Sequence, residues 1–363
     1  MDVAATEPDS AWPPLSFVMP VLNEREHVRR ALDSVLSQQY PAPFDVVVAL
    51  GPSTDGTDAI VEALASADHR VRIVRVGAAS IPLALNTAFG ACTAPVVARV
   101  DGHVVLPNGY ARDAVRTLRE RGAANVGGIM VAAGERPFQR AVAEAYNCRL
   151  GLGGGAYHLA DAAAGPAESV YLGVMDRAAV AAVGGYDETV RRGEDWELNR
   201  RLRAAGHLVW LDPALRVTYY PRASGRGLAR QFWATGAWRA ELVRRCGRAN
   251  SRRYFVPPVL VACTAIGATA TVASRFVPAS RSLRWIGRAA GSASVAHAAL
   301  LGGAALRQPG TLAQRGRFAI AVALMHYAWG AGFLNGLLRG AARVEDRSRI
   351  AACTNAGGTA IPA

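Results

Sequence analysis

The sequence predicts an α/β fold, a mostly parallel sheet covered by helices on both faces, followed by C-terminal transmembrane helices. Three observations predict it. Short apolar runs alternate with helical periodicity from Leu15 to Val100. Polar clusters stand at the carboxyl ends of successive strands, where open α/β sheets bind ligands. Long apolar stretches follow Tyr254, in a part of the chain poor in acidic residues.

The elements follow in order. Leu15–Val21 is an apolar run suited to a buried strand, and 26–39 has Val28, Ala31, Leu32, Val35 and Leu36 on one helical face. Phe44–Leu50 is the second strand. The turn Gly51-Pro52-Ser53-Thr54-Asp55-Gly56-Thr57 then leads into a helix over 58–67. Strands are expected at 71–76 and 96–100, with a helix at 83–91 between them. The middle, 126–211, is less regular, with a glycine-rich loop at 151–155 and an acidic helix start near Glu194. The apolar stretches 255–274, 286–306 and 318–338 are each long enough to span a bilayer. The second is rich in Gly, Ala and Ser, which also suits burial between helices or a re-entrant segment. The expected organisation is a flexible N-terminus at 1–13, a catalytic domain at 14–240 and a basic juxtamembrane segment at 241–254. A membrane region of two or three helices at 255–339 and a flexible tail at 340–363 complete it.

Composition agrees. Of 363 residues, 51% are hydrophobic, and the net charge is +13. All 41 basic residues are arginine. Arg244, Arg245, Arg248, Arg252 and Arg253 stand just before an apolar run, which favours anionic lipid headgroups as partner. No recognition motif supports nucleic acid. The five cysteines form no CxxC and no metal-ligand spacing, so a disulfide framework is not expected. The N-terminus lacks a basic segment followed by an apolar one, so no signal peptide is expected. The reading is a multi-pass plasma-membrane protein with its catalytic part in the cytosol.

Three clusters carry chemistry. Arg99-Val100-Asp101-Gly102-His103 puts Asp101 and His103 two apart at a strand end, where they can hold a divalent cation bound to a diphosphate. The alternative is an Asp-Gly turn with an incidental histidine. In Gly193-Glu194-Asp195-Trp196-Glu197, three carboxylates in four residues begin a helix. Asp195 suits a general base, with Glu194 orienting it or capping the helix. The alternative is plain stabilisation by the helix dipole. Pro20, Asn23 and Glu24, with Ser53 and Asp55, lie at the ends of the first two strands, and Asn86 and Asp101 join them as donor-binding candidates. Ordinary turn chemistry is the alternative there.

The order P-x-x-N-E, S-T-D-G-T, D-x-H, E-D-x-E resembles the family 2 glycosyltransferases of the GT-A fold, over about Leu15 to Arg239. Within that family, Arg99–His103, Val126-Gly127-Gly128 and Leu150-Gly151-Leu152-Gly153-Gly154 are similar to the succinoglycan-type enzymes of exopolysaccharide synthesis. So are Tyr219-Tyr220-Pro221-Arg222 and His326-Tyr327-Ala328-Trp329-Gly330-Ala331-Gly332-Phe333. The resemblance implies a nucleotide-sugar donor, Mg²⁺ or Mn²⁺ at Asp101 and His103, a lipid-linked saccharide acceptor and inversion to a β-linked product. One departure stands out: relatives carry Asp before the S-T-D-G-T turn, where this chain has Leu50 and Gly51. Either the base contact comes from elsewhere or the donor nucleotide is not uridine-based; a UDP-sugar is the first expectation. Arg230-Gln231-Phe232-Trp233 and Trp238-Arg239 resemble the Q-x-x-R-W region of processive relatives at altered spacing. Trp196, Gln231, Trp238 and Arg239 are therefore acceptor-binding candidates, with an interfacial amphipathic helix as the alternative. Two other functions remain open from sequence: a polyprenyl-phosphate sugar transferase, and a non-catalytic membrane scaffold with this fold.

Overall fold

A computed structural model describes residues 12–247, 250–276 and 281–341. The expected flexible ends, 1–13 and 340–363, lie outside these residues except for 12, 13, 340 and 341, and Arg248 of the basic cluster lies outside them too.

The first half of the chain alternates strand and helix: β1 (Leu15–Val21), α1 (Val28–Leu36), β2 (Phe44–Leu50), α2 (Thr57–Ala67), β3 (Val71–Arg75), α3 (Ile81–Ala91), β4 (Val96–Arg99) and α4 (Tyr110–Arg121). β1 pairs parallel with both β2 and β4, and β2 with β3. Every residue of β4 is buried, as are all but Pro20 in β1, and strands covered on both faces read as continuous apolar runs. α1 starts later than its periodicity suggests. The preceding turn is held elsewhere: the backbone N–H groups of Glu24 and Arg25 donate to Thr57 Oγ1 and Asp55 Oδ2. α3 starts earlier, because Ser80 accepts from the Leu83 N–H and Pro82 sits in the first turn.

The middle is more ordered than its sequence indicates. It contains β5 (Asn125–Ala132), α5 (Pro137–Tyr146), α6 (Arg149–Leu152), β6 (Gly165–Pro166), β7 (Tyr171–Asp176), α7 (Arg177–Ala182), α8 (Glu194–Ala204) and β8 (Val209–Tyr219). These strands extend the sheet to the order β3-β2-β1-β4-β7-β5-β8-β6. β7 runs antiparallel to β4 and β5, and β6 to β8. Glycines hide β5 from propensity, yet packing requires them. A Cβ on Gly128 would overlap the Leu215 carbonyl, and one on Gly127 would lie 2.5 Å from the Tyr171 carbonyl oxygen.

The C-terminal part is helical: α9 (Gly225–Cys246), α10 (Val256–Phe276), α11 (Arg281–Arg307) and α12 (Leu312–Arg339). Three helical spans, Arg252–Ser274, Arg284–Arg307 and Leu312–Arg339, are long and apolar enough to cross a membrane. The second is a continuous helix with Ile286, Val295, Leu300 and Leu306 exposed. Small residues let the helices approach: Gly267 lies against Gly291, Gly330 against Pro257, and Gly332 and Gly336 against the backbone of α9.

The chain packs as two units. One takes the residues up to Ile129, Ala163–Thr189 and Leu198–Val217; the other takes Met130–Ala162, Val190–Glu197 and the residues from Thr218 onward. The expected border at 240 falls inside α9, whose helix continues to Cys246.

Candidate active site

In the first unit, the turns after β1, β2 and β4 are laced together. Gly51 N–H donates to the Val21 carbonyl, Asn23 N–H to Ser53 Oγ (3.1 Å), and Thr54 N–H to Asn23 Oδ1 (2.8 Å). Asn23 adopts φ 54°, a left-handed conformation that asparagine tolerates better than most residues. Asp55 Oδ1 accepts from the Thr57 N–H and hydroxyl. Burial alone would raise the Asp55 pKa; hydrogen bonds from the Thr57 side chain and the Arg25 and Thr57 backbone outweigh it and hold the carboxyl below its usual range. Ser53 and Asp55, expected on the donor, thus use their side chains to join the strand ends.

Asn86 is likewise engaged. Its amide N–H₂ donates to the Tyr186 carbonyl and Glu188 Oε1, both at 2.9 Å, and its Oδ1 accepts from the Tyr186 N–H at 2.8 Å. The side chain straps α3 to the turn before α8, which uses the hydrogen bonds expected for a donor.

Asp101 and His103 follow β4. The buried Arg99 donates through Nε to Asp101 Oδ1 (3.1 Å). His103 Nδ1 lies 3.0 Å from Glu24 Oε1. When Nδ1–H donates to that carboxylate, Nε2 keeps its lone pair, the arrangement that orients a metal-binding imidazole. Glu24 therefore meets His103, a contact its place in P-x-x-N-E did not reveal. Gly102 leaves room for this: a Cβ there would sit 3.3 Å from both Glu24 and Val21 side-chain carbons. Among the described residues, no three His, Cys, Asp or Glu side chains converge as a metal cage. Two protein ligands fit Mg²⁺ or Mn²⁺, which take their remaining ligands from water and substrate phosphates.

In the second unit, α8 begins with Glu194, Asp195, Trp196 and Glu197. Glu194 and Glu197 are buried, while Asp195 is half-buried. Trp196 is buried against Val190 and Leu242. Its ring carries the Arg239 guanidinium, with Cζ 4.6 Å from the ring centroid and 4.0 Å from that of Tyr254. Tyr254 in turn stacks on Trp329 (centroids 6.0 Å) and accepts a hydrogen bond from Arg253. Gln231 donates to the Tyr219 hydroxyl at 3.4 Å, and Trp238 is buried. Of the aromatic residues of α9, Trp233 is exposed and Phe232 is buried, so an interfacial reading of that helix applies to Trp233 alone among these three.

An aromatic nest adjoins this cluster. Tyr146 stacks on Tyr219, and its ring meets His158 edge-on; His158 also packs on Tyr157 with centroids 4.1 Å apart. Burial pushes the Tyr157 hydroxyl up to about 12, and it lies in the fields of Tyr254, Arg239, Arg253 and Asp195. Burial, and then the Arg253 charge, push His158 down to about 3. Sequence reasoning missed Tyr157, His158 and Tyr254. It noted the segment holding Trp329 but gave that residue no role.

Comparison with known proteins agrees with this geometry. The Glycosyl transferase family 2 model matches residues 16–176. The succinoglycan biosynthesis protein ExoA of Rhizobium meliloti (strain 1021) is 33% identical over 89% of this chain and 94% of its own. The glycosyltransferase AglE of Haloferax volcanii is 29% identical over 33% of this chain and 40% of its own. Among solved structures, the mannosyltransferase PcManGT from Pyrobaculum calidifontis, in complex with GDP-Man and Mn²⁺, superposes with a TM-score of 0.58. It covers 92% of this chain and 90% of its own at 19% identity, a likeness of fold. With two-strand-end turns, a D-x-H loop and an E-D-x-E helix start on a GT-A sheet, the chain belongs to the family 2 glycosyltransferases as an ExoA-like member.

Proposed function

We propose that this glycosyltransferase moves a sugar, with inversion, from a nucleotide-sugar to a hydroxyl of a lipid-linked or polysaccharide acceptor. The catalytic part works at the cytoplasmic face of the plasma membrane, in exopolysaccharide or cell-envelope glycan synthesis. The apolar spans of the C-terminal half supply the membrane attachment. The name of the ExoA relative supports the pathway class, and the GDP-Man and Mn²⁺ of the mannosyltransferase support a nucleotide-sugar and a divalent ion.

The observation that carries the reading is the Glu24–His103 contact beside Asp101. Asp101 and His103 would hold Mg²⁺ or Mn²⁺ on the donor diphosphate. A cation there would neutralise charge on the leaving nucleoside diphosphate. Pro20 and the Asn23 turn form the wall at the end of β1, against which ribose and base are placed. Asp195, the accessible carboxylate of its cluster, takes the proton of the attacking acceptor hydroxyl. Glu194 orients it from the same helix start. Attack by that hydroxyl opposite the leaving group inverts the anomeric carbon in one displacement. Trp196, Gln231, Trp238 and Arg239 define the acceptor side. UDP-sugars are the first donors to test; with Leu50 and Gly51 where relatives carry carboxylates, either another group contacts the base or the donor nucleotide is not uridine-based, so the panel includes GDP- and dTDP-sugars.

The test is donor hydrolysis by purified full-length protein across a nucleotide-sugar panel, with Mn²⁺ or with EDTA. Metal-dependent hydrolysis of one donor, lost in Asp101→Asn, is expected. Hydrolysis that survives EDTA and Asp101→Asn sinks the metal assignment. No hydrolysis of any donor favours the scaffold reading.

A further inference from the structure

Among the described residues, no hydrogen bond or carboxylate answers the charge of Arg239. Its Nε and Nη1 atoms are buried and have no hydrogen-bond partner among the described residues. Nor does any carboxylate there form an ion pair with it. Two aromatic faces, Trp196 at 4.6 Å and Tyr254 at 4.0 Å, grip the guanidinium. Stacking fixes the group's plane and returns part of the cost of burial. It leaves the N–H edge empty, because those bonds lie in the guanidinium plane. A third unanswered donor is close by: Trp329 Nε1 is buried without a partner, and its ring stacks on Tyr254. Trp329 is held there by close helix packing, since a Cβ on Gly236 would lie 2.8 Å from its Cδ1.

Three buried N–H donors near one tyrosine ring, two of them on a cation, suit an oxyanion. A guanidinium edge, Nε with Nη2 or Nη1 with Nη2, binds phosphate oxygens through two parallel hydrogen bonds, and each edge of Arg239 includes one of its unpartnered nitrogens. The geometry points to Arg239 and Trp329 as a site for a phosphoryl group of the lipid-linked acceptor. This rests on the reading of Asp195 as the base and of the acceptor as membrane-borne. Phosphoryl oxygens reach this enzyme from two sources, the donor diphosphate and the acceptor lipid. Two placements favour the lipid. Tyr254 lies two residues before α10, inside the span that begins at Arg252. Trp196, the other plate, directly follows Asp195. A phosphate on Arg239 is thereby held at the start of a membrane helix, beside the turn that carries the base.

The experiment is calorimetric titration of full-length protein in detergent with geranyl diphosphate, geraniol and inorganic pyrophosphate. A separate titration uses UDP with Mn²⁺. Geranyl diphosphate is expected to bind at least about tenfold more tightly than either comparator, as a charge-assisted contact plus apolar burial requires. Arg239→Gln should weaken it about ten- to a hundredfold and Arg239→Lys by less, with UDP binding unchanged. UDP binding also reports that the variant is folded. Wild-type affinity for geranyl diphosphate in Arg239→Gln overturns the proposal. So does loss of UDP with retention of geranyl diphosphate, which moves Arg239 to the donor. Pyrophosphate binding as tightly as geranyl diphosphate overturns the lipid assignment. If Arg239→Gln does not fold, Trp329→Phe decides: about three- to tenfold weaker binding is expected, and unchanged affinity overturns the site. No arm reads turnover, so a chain that transfers no sugar would still reveal this site, and the two readings fail separately.

Discussion

The strand-end turns of the first unit and the buried aromatic cluster of the second treat polar groups in opposite ways. In the first, the side chains at the strand ends answer one another: Asn23 with Thr54, Asp55 with Thr57 and Arg25, Asn86 with Tyr186 and Glu188, Glu24 with His103. In the second, buried atoms of Arg239, Trp329, His158 and Gln231 stand without hydrogen-bond partners among the described residues. A satisfied network is rigid and holds a shape for a small ligand. An unsatisfied one is costly alone and is relieved by what binds it. The strand-end turns are built like a finished mould, and the Arg239 cluster like one waiting for its ligand.

The largest expected effect tests the base on the second side. Asp195→Asn keeps shape and removes the basic site, so turnover should fall by about 10²–10⁴-fold with donor affinity little changed. Glu194→Gln and Glu197→Gln, at buried positions, should affect folding more than the chemical step. Turnover at wild-type level in Asp195→Asn, measured on folded protein, removes the assignment. So does a larger loss of turnover in Glu194→Gln.

The next effect concerns the aromatic nest. His158 is held neutral, its pKa pushed to about 3 by burial and by Arg253, whereas an unfolded chain takes up a proton near 6.5. The depressed value means that the native state resists protonation. Its stability is complete above about 6.5 and falls as pH drops toward 3, by at most ~1.4 kcal/mol per pH unit. Melting temperature should therefore drop between pH 7.5 and 5 in the wild type. It should drop less in His158→Phe, and the difference between the two curves isolates this group. Parallel curves would show that His158 is protonated without cost.

The same contrast bears on what is legible in the sequence. β1 to β4 are readable because parallel strands buried on both faces leave apolar runs, and the D-x-H and E-D-x-E clusters stand out as candidates because each is local. β5 is not, since Gly127 and Gly128 answer to the closeness of Tyr171 and Leu215, which no local pattern encodes. Arg239, Tyr254, Trp329 and Tyr157 come together only through packing, so this cluster cannot be read along the chain even though Arg239 stands out as a candidate. Asn86 shows the other side of this limit. A polar side chain near strand ends suits a ligand, and only the structure reveals its three hydrogen bonds to Tyr186 and Glu188.

A smaller effect sharpens the donor side. Glu24→Gln keeps a hydrogen-bond acceptor for His103 Nδ1 but removes the charge that makes the imidazole a better ligand. Loss of such an outer partner typically costs about 10–100-fold in metal affinity. The Mn²⁺ concentration for half-maximal donor hydrolysis should rise by roughly that factor, with turnover at saturating Mn²⁺ much less affected. An unchanged Mn²⁺ requirement would return Glu24 to the donor itself.

The smallest effect separates scaffold from ligand at Asn86. Asn86→Ala removes two donors and one acceptor that serve the Tyr186–Glu188 turn. The site is partly exposed, so water replaces some of these contacts, and the net loss should be about 1–2 kcal/mol of stability. Tyr186 is itself buried against the rest of its unit, so the turn should loosen without detaching. Melting temperature should fall by a few degrees, roughly 2–4 °C per kcal/mol for a unit of this size, while the donor KM stays within about twofold. Asn86→Asp is the sharper variant. It keeps the acceptor for the Tyr186 N–H but faces Glu188 with a second carboxylate, so it should destabilise at least as much as alanine at neutral pH and less when acidified. If instead either variant raised the donor KM tenfold with an unchanged melting temperature, Asn86 would be a donor ligand, and its hydrogen bonds to Tyr186 and Glu188 would not be its purpose.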